Sequence, residues 1–152
     1  MNNILGVTNR EHKRGLKSYG FHGLRPMHPE LEVVGPAKFD VSKLLLFKHP
    51  KSGFIDANTE YERLKEKNML KFCFGLYELY TFQDTKKGVV LFDKYFGSVA
   101  LLGWKSVAKN KYDGKLYVPA LTWNNGPMLY WYHFDQPWED RLRIPHFENN
   151  SF

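Results

Sequence analysis

The fold of this chain is decided by two adjacent stretches, Leu116-Tyr117-Val118-Pro119-Ala120-Leu121 and Met128-Leu129-Tyr130-Trp131-Tyr132-His133-Phe134. Both are rich in β-branched and aromatic residues, and Asn124-Asn125-Gly126 between them is typical of a tight turn. A third strand candidate runs from Val99 to Val107, and Asp113-Gly114 is a turn signal between it and the first stretch. The sequence therefore predicts a three-stranded antiparallel β-meander in the C-terminal half.

A proline and a glycine place further constraints on the backbone of this meander. Pro119 has no N–H donor, so we expect its strand to lie at a sheet edge or to be bulged there. Gly103 interrupts the third candidate strand, which indicates a bulge or a close backbone approach.

One or two helices are predicted upstream of the meander, around residues 59–82. Thr59 and Glu62 have the spacing of a capping box, which predicts a helix from about Glu60 to Asn68. Apolar residues then recur at the spacing of one helical face and predict a second helix, namely Met69, Cys73, Leu76, Tyr77 and Tyr80. Phe72 and Phe74 on the far side leave a buried strand as the alternative.

Three further segments complete the expected elements. The apolar run from Val41 to Phe47 predicts a buried strand, and Val89 to Leu91 predicts a short one. The tail from Gln136 to Phe152 is expected to be irregular because it contains Pro137 and Pro145. Helices followed by a run of strands indicate an α+β fold.

The length of 152 residues suits a single domain. Residues 1–30 differ from the rest, since they contain few apolar residues and no convincing period. We therefore expect a basic N-terminal arm or long ordered loop over 1–30 and a single α+β domain over 31–152.

The charge of the chain is concentrated in this arm. Its net charge through residue 25 is +4, from five basic residues and Glu11, out of +6 for the whole chain. The basic residues are Arg10, Lys13, Arg14, Lys17 and Arg25. Such concentrations are typical of arms that contact nucleic acid or another polyanion, and an ordinary solvated segment is the alternative.

Two further groups are candidates for binding. Lys105 lies with Lys109, Lys111 and Lys115 around the first hairpin, where Tyr112 marks the turn. Lysines beside exposed aromatics on a small sheet are typical of single-stranded nucleic-acid binding, although a core sheet with one wet face gives the same pattern. Trp131 and Trp138 belong to the densest aromatic stretch and are candidate protein contacts, since tryptophan dominates interface hot spots.

The same stretch offers the only candidate acid–base chemistry. His133 and Asp135 would share one strand face, and three more candidates follow closely, namely Asp140, Arg141 and His146. A histidine base with an arginine clamp would suit hydrolysis of a phosphodiester. The alternative, a histidine at a sheet margin beside a capping aspartate, is favoured because catalytic pairs more often come from different elements.

Several function classes are disfavoured by what the sequence lacks. Cys73 is the single cysteine, so neither an internal disulfide nor a cysteine-rich zinc site is expected. No metal, nucleotide or cofactor signature is present, and no cofactor is predicted. The longest apolar stretch is about half the ~20 residues that cross a bilayer, so no membrane partner and a cytoplasmic location are expected.

These observations favour a non-catalytic macromolecule-binding protein. Lysine outnumbers arginine sixteen to six, a bias that hints at a phage or bacterial accessory or assembly component. We expect a protein partner or homo-oligomer, contacted through the basic arm and the aromatic C-terminal half. A small hydrolase or nuclease, and a single-stranded nucleic-acid-binding protein, are the alternatives.

Overall fold

The computed structural model describes residues 2–7, 19–20, 23–48, 57–136 and 140–147. The helices are α1 (Ala57–Glu66), α2 (Leu76–Asp84) and α3 (Lys86–Phe96). The strands are β1 (Ile4–Gly6), β2 (Leu24–Pro26), β3 (Lys38–Asp40), β4 (Leu45–Lys48), β5 (Ala100–Leu102), β6 (Ala108–Asn110), β7 (Leu116–Trp123), β8 (Pro127–His133) and β9 (Leu142–His146). Short 3-10 turns cover Pro29–Leu31, Val41–Lys43, Leu70–Phe72 and Trp104–Ser106. The predicted single-domain α+β fold is confirmed.

The main sheet has seven strands and is built around β7. Its order is β2-β6-β7-β5-β9-β4, and β8 pairs with the opposite edge of β7. All pairings are antiparallel except that of β5 with β9. Strands β6, β7 and β8 are consecutive and antiparallel, so the predicted meander is confirmed. Strands β1 and β3 form a separate two-stranded sheet.

Pro119 shows how a proline is accommodated inside the central strand. Its carbonyl accepts a hydrogen bond from the Gly103 N–H at 2.8 Å, so its backbone faces the segment between β5 and β6. That segment leaves the sheet as the 3-10 turn Trp104–Ser106. Pro119 therefore has no neighbouring strand there to which a backbone N–H would have to donate. The predicted long strand from Val99 to Val107 is therefore wrong in its extent: it contains the short strand β5 and this turn, and β6 begins only at Ala108.

Helices cover both faces of the sheet. Val118 and Ala120 lie in one apolar cluster with residues of α1, including Tyr61 and Leu64. Leu121 belongs to a second cluster, on the other face, with residues of α2 and α3. The alternation along β7 thus places the two cores on opposite sides of the sheet.

Helix α3 replaces the short strand predicted at Val89 to Leu91, so that prediction is wrong. The Thr85 hydroxyl accepts a hydrogen bond from the Gly88 N–H at 2.9 Å and caps the helix. Gly88 also packs against α2, where an added Cβ would lie 2.4 Å from the carbonyl oxygen of Thr81. The cap and this close approach decide for the helix over the β propensity of the valines.

The upstream helices also differ from prediction. Helix α1 begins at Ala57, so Thr59 lies inside it and not at its cap. The proposed helical face from Met69 to Tyr80 is divided into a 3-10 turn, a bridge between Cys73 and His146, and α2. Gly75 lies at the division and packs closely against Ser106. A Cβ added at Gly75 would lie 2.7 Å from the Ser106 hydroxyl oxygen.

The tail contains a strand that the sequence did not predict. Strand β9 lies between β5 and β4, although the segment was expected to be irregular. Its Pro145 lies beyond the end of the β5 pairing, where its carbonyl accepts from the Phe74 N–H at 3.2 Å. The predicted buried strand from Val41 to Phe47 becomes a 3-10 turn and the edge strand β4, on which Leu45 and Leu46 are exposed.

The described parts of residues 1–30 belong to the fold. Strand β1 pairs with β3 and β2 joins the main sheet, while Leu5, Tyr19 and Leu24 are buried. These described segments therefore pack with the rest of the domain. Residues 8–18, which carry most of the predicted basic charge, lie outside the described residues.

Candidate functional site

A basic surface is created where β2 pairs with β6. This pairing places Arg25 directly opposite Lys109. Their strand neighbours Leu24 and Ala108 are buried, so the two cations point to the exposed side of the sheet. Like charges directly opposite one another destabilise a strand pair, so this arrangement does not serve stability.

The hairpin that follows β6 adds Lys111 and Tyr112 to the surface. The Asn110 side-chain oxygen accepts hydrogen bonds from the Tyr112 N–H at 2.8 Å and the Asp113 N–H at 3.2 Å. The Lys111 N–H donates to the Gly23 carbonyl at 3.0 Å, which ties the tip of the hairpin to the loop before β2. Tyr112 is thereby held at the tip with 81% of its surface exposed.

These cations line a cleft of about 460 Å³, here called the basic cleft. Its lining residues are Arg25, Pro26, Met27, Lys109, Asn110, Lys111 and Gly114, which carry three positive charges and no negative one. Among the described residues, none of the three cations forms an ion pair with a carboxylate, whereas nearby Lys115 lies 3.4 Å from Asp135. Over the described part of the chain, the cleft is therefore a positive surface without a neutralising carboxylate.

Lys105 does not belong to this surface, which corrects the sequence prediction. It is 0% exposed, and its ammonium lies 2.6 Å from a carboxylate oxygen of Glu78, which is also 0% exposed. The ammonium donates to the Val34 carbonyl at 2.6 Å as well. A buried charge is tolerated only when it is paired and hydrogen-bonded, so Lys105 is a structural residue in this fold.

Ser106 and Glu32 extend this buried polar cluster, which comprises Tyr19, Glu32, Glu78, Lys105 and Ser106. The Ser106 hydroxyl donates to Glu32 Oε1 at 2.8 Å and accepts from the Leu76 N–H at 2.8 Å. The Tyr19 hydroxyl donates to the same oxygen of Glu32. Burial raises the pKa of Glu32 to about 7 and also raises the pKa of Tyr19.

Sequence reasoning did not single out the acidic members or the serine of this cluster. Glu32 and Glu78 are ordinary residues in their local sequence, and Ser106 follows a lysine that was expected to be exposed. The only local signal is that Lys105 and Ser106 lie between the apolar Trp104 and Val107. The cluster forms because the turn Trp104–Ser106 packs against Gly75 at the start of α2.

The remaining predicted binding residues divide into two groups. Trp131 is half-buried and packs against Tyr19, with ring centroids 5.4 Å apart, so it supports the core more than it presents an anchor. Trp138 and four arm residues, Arg10, Lys13, Arg14 and Lys17, lie outside the described residues. Their roles stay predictions.

The candidate acid–base pair of His133 and Asp135 has unsuitable geometry. His133 Nδ1 accepts a hydrogen bond from the Asp135 backbone N–H at 3.0 Å, while it lies 3.9 Å from the Asp135 carboxylate. That carboxylate is exposed and lies near Lys115. This is the arrangement of a residue at a strand end, which the sequence reading favoured.

The other catalytic candidates lie in different surroundings. Arg141 donates to the Tyr132 hydroxyl at 3.1 Å, and Asp140 is exposed in the turn before β9. His146 is buried on β9 at a second cleft, of about 310 Å³, whose charged lining residues are Lys38, Asp40 and Lys43. Burial lowers the pKa of His146, and the hydrogen bonds from Ser42 lower that of Asp40.

Metal and nucleophile chemistry find no support within the described ranges. No group of three or more histidine, cysteine, aspartate or glutamate side chains is placed to hold a metal ion there. His28 is hydrogen-bonded to the Tyr61 hydroxyl at 2.5 Å. Burial raises the pKa of the Cys73 thiol to about 12, which keeps it protonated and weakly nucleophilic.

Comparison with known proteins finds no match to a family model, to a curated protein or to a solved structure. Over the part of the chain that the structure describes, no helix has the length and apolar character needed to cross a membrane.

Proposed function

We propose that this chain is a non-catalytic binding protein that holds an acidic macromolecule at the basic cleft. The observation that carries the proposal is the direct pairing of Arg25 with Lys109 in a cleft that also contains Lys111. Within the described residues no carboxylate neutralises these cations.

An anionic partner would relieve the repulsion among the cations of the basic cleft. Three cations around one cleft raise its electrostatic potential and attract an anion from solution. When the anion binds, it removes the repulsion between Arg25 and Lys109 and releases its own condensed counterions. Both effects favour an extended partner that carries several negative charges.

A binding role is also supported by the surroundings of the catalytic candidates. Asp135 lies near Lys115, and His146 is in another cleft with none of the other four candidates among its lining residues. Among the described residues, the five candidates for a hydrolase therefore do not assemble into one acid–base site.

Retention on immobilised heparin, a polyanion without bases, tests the proposal. The variant Lys109→Glu with Lys111→Glu should elute at a much lower salt concentration than the native chain. A matched variant, Lys67→Glu with Lys86→Glu, changes two exposed lysines that do not line the cleft. Each double variant lowers the formal charge from +6 by four units to +2, so the pair separates location from net charge.

The matched variant should elute close to the native chain if the cleft is the binding surface. Equal elution of the two double variants would contradict the proposal, because retention would then follow net charge alone. Folding of both variants is verified by circular dichroism and urea unfolding.

A further inference from the structure

We propose that the acidic macromolecule is a single-stranded nucleic acid, with a base stacked on Tyr112 and the neighbouring phosphates on Arg25, Lys109 and Lys111. This inference rests on the proposed function, because it names the partner of the basic cleft. Its supporting observation is an exposed aromatic ring, Tyr112, on the same hairpin as Lys109 and Lys111, which line the basic cleft with Arg25.

Two contacts position Tyr112, although its side chain is exposed. Its backbone is held by the Asn110 side chain, and one ring edge packs against Gly23. Gly23 has a φ of +67°, and an added Cβ there would lie 2.9 Å from the Tyr112 ring. A residue with a side chain at this position would displace the ring, so the glycine maintains the contact.

One cation lies over the ring, and two more follow on the sheet. The Lys111 ammonium lies 5.0 Å from the centroid of the Tyr112 ring. Lys109 and Arg25 follow along the same exposed side of the sheet. An aromatic platform next to a row of cations matches the alternation of base and phosphate along a single strand.

The ring also discriminates between classes of acidic partner. An acidic peptide would satisfy the cations, but its carboxylates are repelled by the negative face of an aromatic ring. A duplex keeps its bases stacked inside the helix and presents only phosphates to a short hairpin. A single strand offers both a free base face and phosphates, so it uses every part of this surface.

The test measures binding of three fluorescently labelled 12-mers by anisotropy at low salt. They are oligo-dT, an abasic deoxyribose-phosphate chain and a DNA duplex. The native chain should bind oligo-dT about 5- to 150-fold more tightly than the abasic chain, which corresponds to stacking of one base. The Tyr112→Ala variant should bind both single strands with the affinity that the native chain has for the abasic one.

A matched control is available on α3. Tyr95 is also exposed and has the Lys94 ammonium 5.2 Å from its ring centroid, but it lies on α3 and not on the hairpin that carries Lys109 and Lys111. The Tyr95→Ala variant should retain the native preference for oligo-dT over the abasic chain. Loss of the preference in this variant would overturn the assignment to Tyr112.

The remaining outcomes distinguish failure of this inference from failure of the proposed function. Equal binding of oligo-dT and the abasic chain, or tighter binding of the duplex, would overturn the inference while polyanion binding at the cleft stands. Heparin retention that does not depend on Lys109 and Lys111 would overturn both.

Discussion

Lys105 and Lys109 are four residues apart in the same stretch of chain, yet they lie in opposite environments. Lys105 is fully buried against Glu78, whereas Lys109 is exposed opposite Arg25. One lysine has a carboxylate at 2.6 Å, and the other faces a like charge. The first arrangement stabilises a fold around a buried charge, and the second leaves charge available for a ligand.

The difference shows that the environment of a lysine is set by what its backbone packs against. Lys105 lies in the 3-10 turn that packs onto Gly75 and α2, so its ammonium is directed to Glu78. Lys109 lies in β6, where alternation directs it away from the core. Three predictions test this contrast.

The largest effect is expected from breaking the buried pair. Lys105→Met should lower the free energy of unfolding by about 3–5 kcal/mol, because it leaves the Glu78 carboxylate buried without its cation. The same substitution at Lys109 should change the free energy of unfolding by less than about 0.5 kcal/mol, since that site is exposed. Urea unfolding at neutral pH measures both.

A second substitution separates loss of the pair from loss of packing. In the double variant Lys105→Met with Glu78→Leu, both buried charges are absent, and much of the lost stability should return. A double variant as unstable as the sum of the two single variants would show that the pair itself contributes little.

The next effect concerns the pH dependence that Glu32 adds to the same buried cluster. Its folded pKa of about 7 is above its ordinary value of 4.5, so the folded state binds the proton more tightly than the unfolded state. The resulting stabilisation is complete below about pH 4.5 and is lost as the pH rises through about 7. Glu32→Gln should remove this dependence, which amounts to about 3 kcal/mol.

Unfolding free energies of the native chain and of Glu32→Gln, measured from pH 4.5 to pH 8, give this contribution by difference. Glu62→Gln, at an exposed position on α1, is the matched control and should follow the native profile. If the free energies of unfolding of the native chain and of Glu32→Gln differed by the same amount at every pH from 4.5 to 8, Glu32 would not titrate in this range.

The smallest effect is expected at the exposed lysine. Lys109→Glu replaces a like-charge pair by an opposite-charge pair with Arg25 and should stabilise the fold by about 0.2–1 kcal/mol. Lys67→Glu, away from the cleft, should show no such gain. A loss of stability in Lys109→Glu would mean that Lys109 has a structural role and would weaken its assignment as a binding residue.

The parts of the fold that could be predicted are those with local signals. The β7–β8 hairpin has alternating strands and the turn Asn124-Asn125-Gly126, in which Asn125 and Gly126 have positive φ. Strand β9 could not be predicted, because a proline such as Pro145 is unfavourable in a central strand. It is tolerated here because the pairing of β9 with β5 ends at Arg143, before Pro145. Helix α3 was not predicted because Val89 and Val90 favour a strand by β propensity.

The candidate site could be predicted in part. Arg25, Lys109, Lys111 and Tyr112 were recognisable as basic or turn residues. Nothing in the sequence indicates that β2 pairs with β6, so Arg25 was assigned to an arm, and the lysines to a hairpin, as separate surfaces. Lys105 was wrongly included in this surface because its sequence neighbours, Trp104 and Ser106, give no sign of a distant carboxylate.

The sequence by itself determined the α+β class, the meander and the excess of positive charge, because alternation, turn residues and composition act over a few positions. The tertiary structure alone decided which lysine is neutralised in the core and which is left at the surface. It did so because the relevant partners, Glu78 for Lys105 and Arg25 for Lys109, are 27 and 84 residues away along the chain. Interactions over such separations depend on strand pairing and helix packing, which local sequence does not encode.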